Sequence, residues 1–382
     1  KEGIKKAVSS GVSLYTDISL FLEIWNGNGP VIGVTGSNGK STTVSLIDEA
    51  LRSEDRETRL GGNIGVSPLS WLIDNQEIMY GTYIILELSS YTLEYFKDNH
   101  YVDILVFTSF SENHLSRHNS DMEEYAAMKC NAIKKGETKI IFSIEDKLID
   151  KYISPLIKEH DLITVTLEQN ILDKNHLFMK DNSLIFRNKK GETEVIFSNT
   201  DNRKMRGIHN LYNIAYTMVV LELLGVSIQD AEKTIREYPG LAHRLQFVRE
   251  LDGITYYNDS KSTSPDSTLK ALDTVGDQKN VVLIAGGVDK GVSYESWNDA
   301  LHLFVKQIVI LPGPAEEKLE SLADIIDIET ITVSDMNEAV KKSKEIAKKG
   351  DVVLLSPGAA SLNLWSSFEE RGDEFSNIVG WL

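Results

Sequence analysis

The sequence predicts an α/β protein built from a central phosphate-loop (P-loop) domain with a mostly parallel sheet and a C-terminal Rossmann-like α/β domain. Three observations predict it. From Val31 onward short β-branched runs alternate with helical patterns, the rhythm of parallel βαβ units. That rhythm breaks at Tyr238-Pro239-Gly240, where Pro and Gly interrupt the pattern, and then restarts. At about 150 residues per domain, 382 residues leave room for two or three packed domains. The boundaries drawn from these breaks are 1–29, 30–240 and 241–382.

In order along the chain, VIGVT (31–35) reads as a buried strand. After a Gly-rich turn, STTVSLIDEALRS reads as a helix with Val44, Ile47 and Leu51 on one face. TYIILEL (82–88), DILVFTS (103–109) and TKIIFS (138–143) read as further strands. From Leu162 to Ser198 short alternating runs broken by DKN, DNS and NKKG turns predict an antiparallel insert. HNLYNIAYTMVVLELLG (209–225) predicts a long helix closed by Gly225. Beyond the break, NVVLIAGG, KQIVILPG and DVVLLSPG are strands, each followed by a helical segment. No repeat of fixed period and no low-complexity segment interrupts this order.

Composition narrows the function. Forty Lys+Arg against fifty-seven Asp+Glu give a formal net charge of −17, which argues against a nucleic-acid partner. A single cysteine, Cys130, can form neither an internal disulfide nor a Cys-rich zinc site. The longest apolar runs, such as 281–285 and 352–355, are far shorter than the ~20 residues a bilayer crossing needs. No signal segment opens the chain. The expectation is a cytoplasmic monomer without a membrane partner.

The strongest local signal is Gly36-Ser37-Asn38-Gly39-Lys40-Ser41-Thr42, set between a strand and a helix. Glycines let backbone N–H groups turn onto a phosphate, and the helix N-terminus adds partial positive charge. Lys40 can neutralise β/γ oxygens and Ser41 can ligate Mg²⁺. The match is to a GxxGKS core, because Val34 stands where the longer P-loop pattern has glycine. The alternative, a Gly-rich turn with a solvated lysine, does not account for the strand and helix that flank it.

A nucleoside triphosphate brings Mg²⁺, which needs hard oxygen ligands. Glu87 closes a buried strand in LELSSYTLE, and His114 lies in SFSENHLSRH after the DILVF strand. Strand ends are where α/β sheets place ligand-contacting residues, which raises both above a helix-capping carboxylate and a half-buried histidine. Lys129 sits in a helical stretch, EEYAAMKCNAIKKG, where most lysines are solvated. Only if its amine took up carbon dioxide as a carbamate would it offer a metal an oxygen.

In the second half, His243-Arg244 follows the break and NDSKST (258–263) follows the strand ITYY. An Arg there can hold a γ-phosphate and an Asp can accept ribose hydroxyls. GGVDKG (286–291) and SPGAASLN (356–363) repeat the layout at two more strand ends, with Lys290 and Ser361 suited to an anionic amino acid. Each loop alone could equally be an ordinary βα connection.

Together these pieces resemble the Mur ligase superfamily, from about Val31 to the C-terminus. The resemblance is carried by GVTGSNGKSTT, GGNIG (61–65), LELSSYTLE, the stretch from SENHLSRH to AAMKC, GIHNLYN (207–213), LAHR, NDSKST, GGVDKG and SPGAASLNLWSSFEERGDEF. It implies ATP and two Mg²⁺ sites, with Gly36 to Thr42 around the phosphates and Ser41 and Glu87 on one metal. His114 and a carbamoylated Lys129 would hold the other. It further implies Asn63 at the reacting region of the substrate, Asn210 and Asn213 at the nucleotide, and Arg244 and Asp259 at ATP. Thr263, Lys290, Ser361 and Phe368 would receive the amino acid. LELSSYTLE and NDSKSTSP point to the branch that adds D-glutamate to UDP-N-acetylmuramoyl-L-alanine; the alternatives are another Mur-type or a folylpolyglutamate-type ligase, or a nucleotide-binding subunit without ligase activity.

Two departures accompany the resemblance. Asn113 stands where the family usually has Asp before the metal-binding histidine, so a negative charge is missing beside that site. Only about thirty residues precede Val31, where the family has a UDP-binding domain, and KEGIKKAVSSGVSLYTDISLFLEIW resembles the final part of that domain.

Overall fold

Unbroken apolar strands bury both faces, so the sheets they form need helices on each side. The computed structural model describes residues 10–25, 27–73, 80–97, 99–111, 121–168, 175–289, 291 and 293–382. These fall into two compact units. Unit 1 comprises Lys1–Arg203 with His209–Glu237, and unit 2 comprises Lys204–Ile208 with Tyr238–Leu382.

In unit 1, helix α1 (Asp17–Trp25) buries Ile18, Phe21, Leu22 and Trp25, the i, i+3, i+4, i+7 stripe of an amphipathic helix. Phe21 stacks on Trp25 and meets Trp71 edge-on, so this segment belongs to the same core as Val31 and Leu86. Strand β1 (Val31–Thr35) is buried throughout and leads through the Gly-rich loop into α2 (Lys40–Ser53). Then follow β2 (Thr58–Gly62), β3 (Tyr83–Glu87), β4 (Ile104–Phe107), α3 (Met122–Lys129) and β5 (Lys139–Ser143).

Strands β6 (Asp161–Val165), β7 (His176–Lys180), β8 (Ser183–Arg187) and β9 (Thr193–Phe197) complete a sheet that among the described residues has nine strands, in the order β2-β3-β1-β4-β5-β6-β7-β8-β9. Helices α4 (Ile208–Leu223) and α5 (Ile228–Glu237) follow. β1 lies between β3 and β4, parallel to both, with Val34 opposite Glu87 and Thr35 opposite Phe107. The C-terminal ends of these three strands are therefore level, and the phosphate loop leaves the sheet beside Glu87.

The expected antiparallel insert is corrected in its first strand. β6 pairs parallel with β5, and β7 pairs parallel with β6; only β7-β8-β9 run antiparallel. The helical turns from Ile149 to Ile157 supply the crossover that a parallel β5–β6 pair requires, and alternation of apolar residues cannot report strand direction.

Unit 2 contains β10 (Gln246–Leu251), β11 (Ile254–Asn258), α6 (Pro265–Val275), β12 (Val281–Gly286), β13 (Val305–Leu311), α7 (Glu316–Ile325), β14 (Thr330–Thr332), α8 (Met336–Ile346), β15 (Val352–Leu355) and α9 (Phe368–Gly380). Its sheet order among the described residues is β10-β11-β15-β12-β13-β14, parallel except for the β10–β11 hairpin. Asp252-Gly253, both left-handed, make that hairpin's turn. Leu355 pairs with Asn258 on one side and Ile284 on the other, so the loops after β11, β15 and β12 start next to one another.

Candidate active site

In unit 1 the phosphate loop is held by the chain segment that leaves β4. Ser109 accepts the Ser37 N–H on its carbonyl at 2.9 Å and the Asn38 N–H on its hydroxyl at 2.9 Å. The Thr108 hydroxyl donates to the carbonyls of Asn38 (2.5 Å) and Thr35 (3.2 Å). The Ser111 N–H donates to the Ser37 hydroxyl at 2.9 Å. Sequence reading passed over these hydroxyl residues; the signal was the Thr-Ser-Phe-Ser run that follows the apolar strand.

Gly39 caps α2 at φ 86° with no side-chain cap, so the first turn keeps its amides for a ligand. A Cβ at Gly39 would lie 2.6 Å from Asn213 Oδ1, and one at Gly36 (φ 145°) only 2.2 Å from the Thr108 hydroxyl. Glycine is therefore required at both positions by packing as well as by dihedral. Asn213 is buried; its Oδ1 accepts from the Thr43 hydroxyl at 3.3 Å and its Nδ2 donates to Asn210 at 3.2 Å. It stands beneath the loop, with Asn210 one helical turn before it.

Lys40 is folded back, donating to the carbonyls of Gly36 (2.9 Å) and Ser37 (3.0 Å). Lys129, only 1% exposed, reaches the same point from α3, donating to Gly36 O at 3.2 Å and Thr35 Oγ1 at 3.3 Å. Its ammonium lies 4.8 Å from the ring centre of Tyr125, itself buried. Burial, with the Lys40 ammonium beside it, brings the Lys129 amine down to about 7. Ser41 and Thr42 open α2, Ser41 buried and Thr42 half-buried.

Glu87, buried at the end of β3, accepts from the Asn63 amide at 2.9 Å through Oε1, and the Asn63 N–H donates to its carbonyl at 2.9 Å. Its other oxygen, Oε2, is buried and among the described residues has no hydrogen-bond partner. A buried carboxylate oxygen so left fits a cation, since desolvation without compensation is costly. Among the described residues no three His, Cys, Asp or Glu cluster as a metal site, so other donors would be the Ser41 hydroxyl and groups of other kinds. Asn113 and His114 lie outside the described residues, as does Lys290.

In unit 2, Asp259 is buried. It accepts from the Leu245 N–H (3.0 Å) and the Ser356 hydroxyl (2.7 Å), and Ser262 also bonds it. Burial outweighs these bonds and the nearby Arg244 charge, pushing its carboxyl up to about 6. Arg244 is exposed and Thr263 half-buried. Ser361 is buried and its carbonyl accepts the N–H groups of Leu364 and Trp365. Phe368 opens α9, with the Lys261 ammonium 5.3 Å from its ring centre and His243 edge-on at 6.1 Å. The motifs NDSKST and SSFEERGDEF contain two residues to which sequence reading gave no role: Asn258, whose amide ties β11 to Gly372 and Ser376, and the fully buried Arg371.

A stapled phosphate loop, a buried lysine beside it and an open carboxylate at the next strand end define a nucleotide-dependent enzyme of P-loop architecture, joined to a second α/β unit. The chain belongs to the Mur ligase family, whose members are ATP- and Mg²⁺-dependent amide-bond ligases. Residues 34–221 match the Mur ligase middle domain, and residues 243–358 match the Mur ligase, glutamate ligase domain. The UDP-N-acetylmuramoylalanine–D-glutamate ligase of Saccharophagus degradans is 33% identical over 98% of this chain and 79% of its own length. The enzyme of that name from Streptococcus pneumoniae serotype 19F is 34% identical over 99% and 80%. A solved UDP-N-acetylmuramoyl-L-alanyl-D-glutamate–2,6-diaminopimelate ligase shares the fold, with a TM-score of 0.63 at 20% identity over 86% of this chain and 73% of that one. Among the described residues no helix is long and apolar enough to cross a membrane.

Proposed function

We propose that this chain joins D-glutamate to UDP-N-acetylmuramoyl-L-alanine at the expense of ATP, with residues 30–240 supplying the phosphate loop and residues 241–382 the amino-acid loops. The observation that carries the reading is the convergence of Lys40 and Lys129 on Gly36 O, one strand away from the open oxygen of Glu87. A carboxylate oxygen of the L-alanyl group bonds the γ-phosphorus and ADP leaves. The D-glutamate amine then attacks the acyl carbon, loses a proton, and phosphate departs from the tetrahedral intermediate.

Lys40 and the uncapped α2 amides supply the positive charge that the transferring phosphoryl group demands. Ser41, Glu87, His114 and Lys129 would hold two Mg²⁺ ions, which when bound add Lewis-acid charge neutralisation. A lysine joins such a set as a carbamate: the unprotonated amine adds to carbon dioxide and releases a proton. Burial of Lys129 favours that unprotonated amine, and the carbamate replaces the repulsion of Lys40 by attraction. Asn63 orients Glu87 through its amide. Thr263, Lys290, Ser361 and Phe368 are the residues we assign to D-glutamate, and Asn210, Asn213, Arg244 and Asp259 to the nucleotide or to the loops that hold it.

The test is a ligation assay with ATP, Mg²⁺ and UDP-N-acetylmuramoyl-L-alanine, offering D-glutamate, L-glutamate, L-alanine, L-lysine and diaminopimelate in turn. ADP release and product mass should depend on D-glutamate. Preference for another of these amino acids by more than about tenfold in kcat/KM, about 1.4 kcal/mol, would overturn the assignment.

A further inference from the structure

Arg371 is wholly buried in unit 2, on the face of α9 that also carries Phe375 and Val379. Such a side chain is normally found paired with a carboxylate. Arg371 instead donates from Nε to the Ser260 hydroxyl (3.0 Å), from Nη2 to the Ser260 carbonyl (2.8 Å) and from Nη1 to the Ala359 carbonyl (3.1 Å). Among the described residues it forms no ion pair, and burial alone brings its guanidinium down to about 10. Asp259, the neighbour of Ser260, has its oxygens committed to Leu245, Ser262 and Ser356.

The two residues it grips lie in different loops. Ser260 follows β11 and precedes Thr263; Ala359 follows β15 and precedes Ser361. The same loops are tied by the Gly358 N–H to Ser262 O (2.9 Å). Ala360 and Val288 exchange backbone bonds at 2.8 and 3.1 Å, which adds the loop after β12. A desolvated positive charge thus sits at the junction of the three loops that carry Thr263, Ser361 and Lys290.

We infer that Arg371 is a positioning and specificity-determining residue: its unpaired charge biases these loops toward an amino acid whose side chain is an anion, while its fork holds the loops in register. This rests on the proposed function and names what in unit 2 would make the second substrate acidic. Out of water a full charge discriminates between an anion and its neutral isostere more strongly than the same charge does in solvent. Direct contacts to the substrate are left to the loops themselves.

The experiment compares kcat/KM for D-glutamate and for D-glutamine, its neutral isostere, in the full chain and in the Arg371→Gln and Arg371→Lys variants. The wild type should favour D-glutamate by about a hundredfold or more. In Arg371→Gln that ratio should shrink by at least about tenfold, whereas Arg371→Lys, which keeps the charge and loses the fork, should lower kcat and hold the ratio within about threefold. A ratio unchanged in both variants, with activity lowered alike on both amino acids, would make Arg371 a purely structural clamp and overturn the inference. Should the glutamine variant not fold, Arg371→Met takes its place as the neutral variant, and a wild type that accepts D-glutamine nearly as well as D-glutamate overturns the inference outright. If the wild type is inactive with D-glutamate, the proposed function fails separately; the inference then stands or falls on whether the amino acid it does accept carries a side-chain carboxylate.

Discussion

Lys40 and Lys129 donate to one and the same acceptor, the carbonyl oxygen of Gly36, at 2.9 and 3.2 Å. Burial, reinforced by the repulsion of the Lys40 ammonium, brings the Lys129 amine down to about 7. Two positively chargeable side chains thus meet at the start of the phosphate loop.

Removing the less buried partner tests the loop itself. Lys40→Ala should leave less than about a tenth of the ATP turnover, a loss of at least about 1.4 kcal/mol of transition-state stabilisation. Circular dichroism should be unchanged, because Lys40 is only half-buried and its two bonds go to loop carbonyls. Phosphate release retained above that level would remove Lys40 from the chemistry.

For Lys129 the expected signature is chemical rescue. Lys129→Ala should lose activity, and millimolar acetate or another small carboxylate should restore part of it by occupying the space of the carbamate. Full activity in the alanine variant without any additive contradicts the carbamate.

The loop's shape can be tested without touching a charge. Gly39→Ala forces an L-residue into the left-handed region, at a cost of about 1–2 kcal/mol, and pushes its methyl toward Asn213 Oδ1. KM for ATP should rise by about tenfold or more while the thermal midpoint falls by only a few degrees. An unchanged KM would mean that the loop adapts to its ligand regardless of this packing.

Asp259 gives a pH prediction of defined sign. Its carboxyl is raised from the ordinary 3.8 to about 6, so between these values the folded chain holds a proton that the unfolded chain has released. Its contribution is greatest below about pH 4, falls as pH rises to about 6, and is constant above. The difference is at most about 3 kcal/mol. Asp259→Asn cannot ionise, so unfolding midpoints measured from pH 4 to 8 should show the wild type losing ground to the variant across that window. Parallel curves would place the titration elsewhere.

The phosphate loop, the parallel βαβ rhythm and the strand-end position of Glu87 were legible in the chain, because each is a local pattern that neighbours within a dozen residues impose. The direction of β6 was not, since alternation of apolar residues is the same for either direction and the crossover decides it. Nor was Arg371 read as buried, although it falls at helical spacing from Phe368 and Phe375 on the apolar stripe of α9.

What the sequence determined alone is therefore the local chemistry: a Gly-rich turn between strand and helix, a lysine and hydroxyl opening that helix, and apolar strands that must be covered on both faces. Only the tertiary structure decided which side chains lose their water. Lys129 is 93 residues away from Gly36 in the chain and sits in a helix that reads as solvated, yet the fold brings the buried side of α3, with Tyr125 and Lys129, onto the loop. The same holds for the open oxygen of Glu87 and for Arg371. Solvation is a property of packing between distant segments, and it is solvation that turns an ordinary lysine, glutamate or arginine into a functional group.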